Sequence, residues 1–86
     1  MARNGKPNWP FVEVIWVDSV SDSKWRALGS LPELATIQSR GWLIIRDKKK
    51  VTIAATRGGY TDGTEAVGEV TTIPRGCIRS IKELKV

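Results

Sequence analysis

Apolar side chains recur at every second position over several short runs, and turn-forming residues separate those runs. Phe11 to Val17 predicts a first strand, with Val12, Val14 and Trp16 on one face and Phe11, Glu13, Ile15 and Val17 on the other. Both faces are largely apolar, so burial is expected on two sides: the core on one, and an arm, a helix or a neighbouring subunit on the other. Asp18 to Ser23 interrupts the strand with side chains that bond nearby amides. Ser30 and Glu33 have the spacing of a capping box, and Pro32 suits a first helical turn. A helix of one or two turns ending near Thr36 is therefore expected, with Asp18 and Trp25 as anchors of the 18–34 loop and Leu28 helping to fold it back. Thr36 to Arg46 predicts a long strand that Gly41 bends or bulges. Strict alternation puts Ile37, Ser39, Gly41, Leu43 and Ile45 on the inward face, and Gln38, Arg40, Trp42, Ile44 and Arg46 on the outward one. Asp47 to Lys50 reads as a hairpin turn, and Val51 to Thr56 as the returning strand with Val51, Ile53 and Ala55 inward. Arg57 to Glu65 contains three glycines and no periodicity, so it reads as a long mobile hairpin loop leading into Ala66–Ile73.

The last third organises the rest. Pro74 lacks an amide donor and Gly76 frees the backbone, so Pro74-Arg75-Gly76 predicts a 3₁₀-like corner between one strand and another over Cys77–Leu84. Five strands joined this way imply an all-β fold: a small five-stranded SH3-like or Sm-like barrel with one short helical insertion. Eighty-six residues suit one domain. Residues 1–10 read as a flexible N-terminal arm carrying Trp9, and 11–86 as a single β-barrel domain.

Composition narrows the chemistry. One cysteine, Cys77, excludes an internal disulfide and suits a reducing compartment. No apolar run approaches a membrane span, and the first eight residues lack a secretory apolar region, so a cytoplasmic location is expected. The absence of histidine removes the commonest general base and zinc ligand. An enzyme is not expected, nor a cofactor or metal. A net charge of +5 points to anionic partners. The best stacking platform for a base is Trp42 with Arg40 and Arg46 on its face. Arg75 and Arg79 beside the corner could grip phosphate through their guanidinium forks. Lys48, Lys49 and Lys50 would crown the hairpin tip, where lysines also discourage edge pairing. Tyr60 in the glycine-rich stretch could cover a ligand, although Arg57-Gly-Gly-Tyr60 has no phosphate-loop spacing.

Trp16-Val-Asp-Ser19, Trp25, Gly41-Trp-Leu-Ile-Ile-Arg-Asp47 and Ile73-Pro-Arg-Gly-Cys-Ile-Arg-Ser-Ile-Lys-Glu-Leu84 resemble a family of small uncharacterised bacteriophage proteins, over most of Phe11–Leu84. The resemblance implies a phage origin, an infected bacterial host and a compact β-barrel. It brings no activity and no site residues. Unfinished barrel edges and the doubly apolar first strand imply self-association into a ring or dimer. The reading that follows is a non-catalytic phage accessory protein that binds a host component. That component is a host protein, or a small anionic molecule such as a signalling nucleotide held between subunits. The alternatives are an RNA or single-stranded DNA binder and a structural or assembly protein of the phage.

Overall fold

The computed structural model describes residues 8–19, 21 and 23–85. Residues 1–7 of the expected arm lie outside the described residues. Within the described part of that stretch, Asn8 is exposed, Trp9 is half-buried, and the Pro10 carbonyl accepts the Leu43 amide at 2.8 Å.

Five antiparallel strands form one open sheet: β1 (Phe11–Asp18), β2 (Ala35–Arg46), β3 (Lys50–Gly59), β4 (Glu65–Pro74) and β5 (Ile78–Leu84). Their order is β4-β3-β2-β1-β5. The chain is all-β as the alternation predicts. β4 and β5 are the outer strands and are not paired with each other, so the sheet is not closed.

The expected capped helix is absent. Among the described residues the helical pieces are two single 3₁₀ turns, Leu28–Ser30 and Arg75–Cys77. Ser30 closes the first turn instead of opening a helix, because its amide and hydroxyl both donate backwards to the Ala27 carbonyl at 2.9 and 3.1 Å. Leu31, held by the following Pro32, is extended at φ −70°, ψ 146°. Trp25 and Leu28 are not anchors either. They are 103% and 88% exposed and leave the core to other residues.

The expected loop over 57–65 is shorter in the structure, because strand pairing takes both of its ends. Arg57 pairs with Val67, Gly58 with Ala66 and Gly59 with Glu65, which leaves a turn over 60–64. Gly63 at φ 90° permits the reversal, and the Asp62 carboxylate accepts the Thr64 amide at 2.8 Å. Arg57 and Glu65 add an ion pair of 2.8 Å across the two strands.

β2 serves two partners. Its residues 35–42 pair with β1, and 42–46 with β3. The change of partner falls beside Gly41, where a Cβ would stand 2.6 Å from the Ala54 carbonyl oxygen. Only glycine lets the two backbones approach so closely. The inner face collects Val12 and Val14 from β1, Val51 and Ile53 from β3 and Ile73 from β4, all buried. Trp16, Leu43, Cys77, Ile78 and Ile81 pack against them.

Two positions expected inside lie outside. Ile45 is 40% exposed because β2 carries an extra residue: Leu43 pairs with Ile53, but Ile45 pairs with Thr52. The bulge inverts the alternation beyond it. Ala55 is exposed where β3–β4 pairing passes from Ala54–Val70 to Thr56–Gly68. Glu69 sits there at φ 53°, with its carboxylate accepting the Thr56 hydroxyl.

Candidate anion-binding groove

The β2 bulge also relocates an arginine. Without it, Arg46 would share a face with Trp42 and Arg40. With it, Arg46 pairs with the core residue Val51 and so lies on the opposite face. A second irregularity acts on β5. Ile15 pairs with Ser80 and Trp16 with Ile78, which leaves Arg79 as the extra residue. Arg79 donates to the Gly76 carbonyl at 3.3 Å, back across the corner.

The corner itself is tied to the β2–β3 turn. The Arg75 amide donates to the Lys49 carbonyl at 2.9 Å, so the 3₁₀ turn and the lysine tip lie side by side. The tip is built by Asp47, whose Oδ1 accepts the amides of Lys49 and Lys50, each at 2.8 Å. Those two amides, with the Lys50 ammonium 3.3 Å from Oδ2, hold the Asp47 carboxyl below the usual carboxylate range. Lys50 is thus matched by Asp47, whereas Lys48 and Lys49 are exposed at the tip.

These connections bring three arginines from three elements to one shallow groove of ≈ 230 Å³. Arg46 comes from the end of β2, Arg75 from the 3₁₀ corner and Arg79 from the β5 bulge. Ile78, Ser80 and Ile81 complete the lining, which holds no carboxylate. No ion pair engages Arg46, Arg75 or Arg79 among the described residues. A phosphoryl group presented here would meet up to three guanidinium forks. The volume lies below that of pockets that enclose whole drug-sized ligands, so the groove suits a charged headgroup and leaves the remainder in solvent.

The expected platform of Arg40, Trp42 and Arg46 does not assemble. Besides losing Arg46, it is covered on the Trp42 side. Phe11 meets the Trp42 ring edge-on with centroids 5.1 Å apart. The Arg57 guanidinium lies 5.6 Å from the Trp42 centroid and 4.9 Å from that of Trp9. Arg40 is spoken for as well: its Nε donates to the Glu13 carboxylate at 2.8 Å, beside Gln38 on the same oxygen. The contact with Arg40 holds the Glu13 carboxyl below its ordinary value against the opposing effect of desolvation, and Gln38 adds to the lowering.

The other expected residues fall elsewhere. Tyr60 is 68% exposed and frames the β3–β4 turn through its backbone, donating to Thr64 and accepting from Gly63. Asp18 accepts the Ser19 amide at 2.8 Å, the turn-capping role its position suggests. Sequence reasoning missed Arg57, hidden in a stretch read as loop, and the groove lining from Ile78, Ser80 and Ile81. The alternation of apolar residues in β5 was the available signal for the two isoleucines. No group of three or more potential metal ligands occurs among the described residues. No helix among them is long and apolar enough to cross a membrane.

The fold and groove thus define a small all-β chain with a cationic end. Comparison with protein-family models, with curated proteins and with solved structures gives no match.

Proposed function

We propose that this chain is a non-catalytic accessory protein, of phage origin as its sequence resemblance implies, that binds an anionic host component by a phosphoryl group. The observation that carries the reading is the convergence of Arg46, Arg75 and Arg79 on one groove whose lining contains no carboxylate. Hydrogen bonds between charged partners contribute about 1.5–3 kcal/mol each, so each guanidinium that engages the phosphoryl group should strengthen capture by about ten-fold or more. A nucleotide fits as a phosphate in the groove with its base outside it. The strand order, the bent β2 and the 3₁₀ turn before β5 support an SH3-like or Sm-like assignment for the framework. Polynucleotide binding draws less support, because Trp42 is engaged by Phe11 and Arg57 and lacks the flanking Arg46 that a stacking platform would use.

Calorimetric titration with ATP, inorganic pyrophosphate and a twelve-residue oligothymidylate tests this directly. ATP and pyrophosphate should bind with similar affinity, and Arg75→Ala or Arg79→Ala should weaken each at least ~10-fold. An oligothymidylate that binds far more tightly than ATP, with a steep loss in added salt, would transfer the protein to the polynucleotide class. No heat with any of the three probes would remove the groove as a site.

A further inference from the structure

The groove accounts for three of the cations at this end of the sheet and leaves three over. Lys48, Lys49 and Lys50 form the tip of the β2–β3 turn, yet none of them lines the groove. The three arginines and three lysines, against Asp47 alone, give groove and tip a local excess of five positive charges. The remaining sequence holds eight basic and eight acidic side chains, which cancel, so the whole formal charge of +5 is gathered here. A charge kept only for solubility has no reason to collect at one end. Asp47 and Lys50 offset each other at 3.3 Å, and no ion pair engages Lys48 or Lys49 among the described residues. Tip and corner are also fixed to each other. The Arg75 amide donates to the Lys49 carbonyl at 2.9 Å, and Lys50 pairs with Pro74 in the β3–β4 ladder.

We infer that the ligand carries a diphosphate unit, an assignment that rests on the groove being a phosphoryl site. The groove arginines take the terminal phosphoryl group, and Lys48 and Lys49 take the one next to it. Charge selects this class. A monophosphate brings about 1.5–2 negative charges to the patch, and a second phosphoryl group adds about one more. Shape agrees, because a shallow groove of ≈ 230 Å³ seats one charged headgroup and leaves its neighbour at the rim. The two kinds of cation suit the two places. Guanidinium forks grip the oxygens of a terminal group bidentately, whereas an ammonium on a flexible four-carbon stem follows a group whose orientation varies. A stem rooted at Lys49, one backbone hydrogen bond from Arg75, has the reach for this.

Calorimetry on the full chain at ~0.15 M salt, with orthophosphate, pyrophosphate, AMP and ADP as probes, tests the assignment. Pyrophosphate and ADP should bind at least ~10-fold more tightly than orthophosphate and AMP. Lys48→Ala with Lys49→Ala should remove that advantage and leave the monophosphates within ~2-fold of the parent. The turn itself survives this change, because Asp47 holds it through backbone amides. Lys82→Ala with Lys85→Ala, an equal loss of charge toward the other end of β5, should leave the advantage whole. Arg75→Ala should weaken all four probes alike. Equal binding of mono- and diphosphates, or an advantage that outlasts the tip variant, overturns the inference, while the effect of Arg75→Ala still upholds the groove as a phosphoryl site. An advantage lost equally in both lysine pairs reduces it to net charge and overturns the second subsite. Silence from all four probes overturns the groove and the diphosphate assignment together.

Discussion

Gly41→Ala is the sharpest perturbation of this fold, because two effects of opposite sign compete and the structure decides between them. Replacing glycine by alanine lowers the entropy of the unfolded chain and alone would stabilise by about 0.4–1 kcal/mol. The added methyl at 41, however, would stand 2.6 Å from the Ala54 carbonyl oxygen and 2.9 Å from its carbon. Both are backbone atoms of β3, so no side chain can rotate out of the way. The strands must part by about half an ångström or more, at the point where Trp42 pairs with Ala54 and Leu43 with Ile53. Overpacking of this kind costs about 1–3 kcal/mol, and the rigid backbone neighbour places this case at the upper end. The expected net loss is about 2 kcal/mol. A domain of this length has only about 4–13 kcal/mol in total, and the melting temperature should fall by about 8–16 °C. Urea unfolding followed by far-UV circular dichroism measures it. Gly58→Ala is the internal control, because a Cβ there meets nothing within 4 Å and should be neutral or slightly stabilising. If both variants are equally stable, the close approach of β2 to β3 is not what requires glycine, and the account of the bend fails.

Three further outcomes are expected. Thr72→Val should destabilise by about 1–2 kcal/mol, because it strips the Thr52 hydroxyl, buried and 2.8 Å from that of Thr72, of its partner; Thr52→Val with Thr72→Val should recover most of the loss in a urea double-mutant cycle. Arg57→Ala should cost about 1–3 kcal/mol by removing the cation between Trp9 and Trp42 together with the Glu65 ion pair, and should alter the near-UV circular dichroism of the tryptophans, with Arg57→Lys intermediate. Asp47 has a folded-state pKa below its ordinary 3.8, so its contribution to the β2–β3 turn is complete above that value and is lost as pH falls through the lowered one. Amide shifts of Lys49 and Lys50 should titrate together in that acid range and stop doing so in Asp47→Asn.

Period-two patterning was enough for the strands themselves. β1 and β2 begin and end within a residue of the expected runs, and the Pro74–Gly76 corner lies where the missing amide donor and the free glycine put it. Alternation was reliable only as far as the first irregularity. It counted Ile45 as inward and Arg46 as a neighbour of Trp42, because nothing in Gly41-Trp-Leu-Ile-Ile-Arg46 marks Ile44 as the place where an extra residue enters. Gly41 signalled distortion nearby, but what it serves is the approach of Ala54. The capping box misled for a local reason: Ser30 had an upstream carbonyl within reach, and a hydroxyl bonded backwards cannot cap forwards. The three-arginine groove was the least legible feature. Arg75 and Arg79, 4 positions apart, are paired beside the corner by sequence alone, but Arg46, 29 positions before Arg75, is grouped with Trp42 until the bulge is seen.

The extra residue in β2 means that a local irregularity, more than plain alternation, assigns charge to the two surfaces of this sheet. Deleting Ile44 would remove the bulge yet leave Ile45 opposite Thr52 and Arg46 opposite Val51, so both would keep the surfaces they now occupy. Flattening the bulge with every residue retained is what would send that guanidinium through the sheet to the tryptophan side and carry an isoleucine inward. In such a framework a single-codon deletion there conserves the surface, and a variant shorter by that one residue should bind what the parent binds.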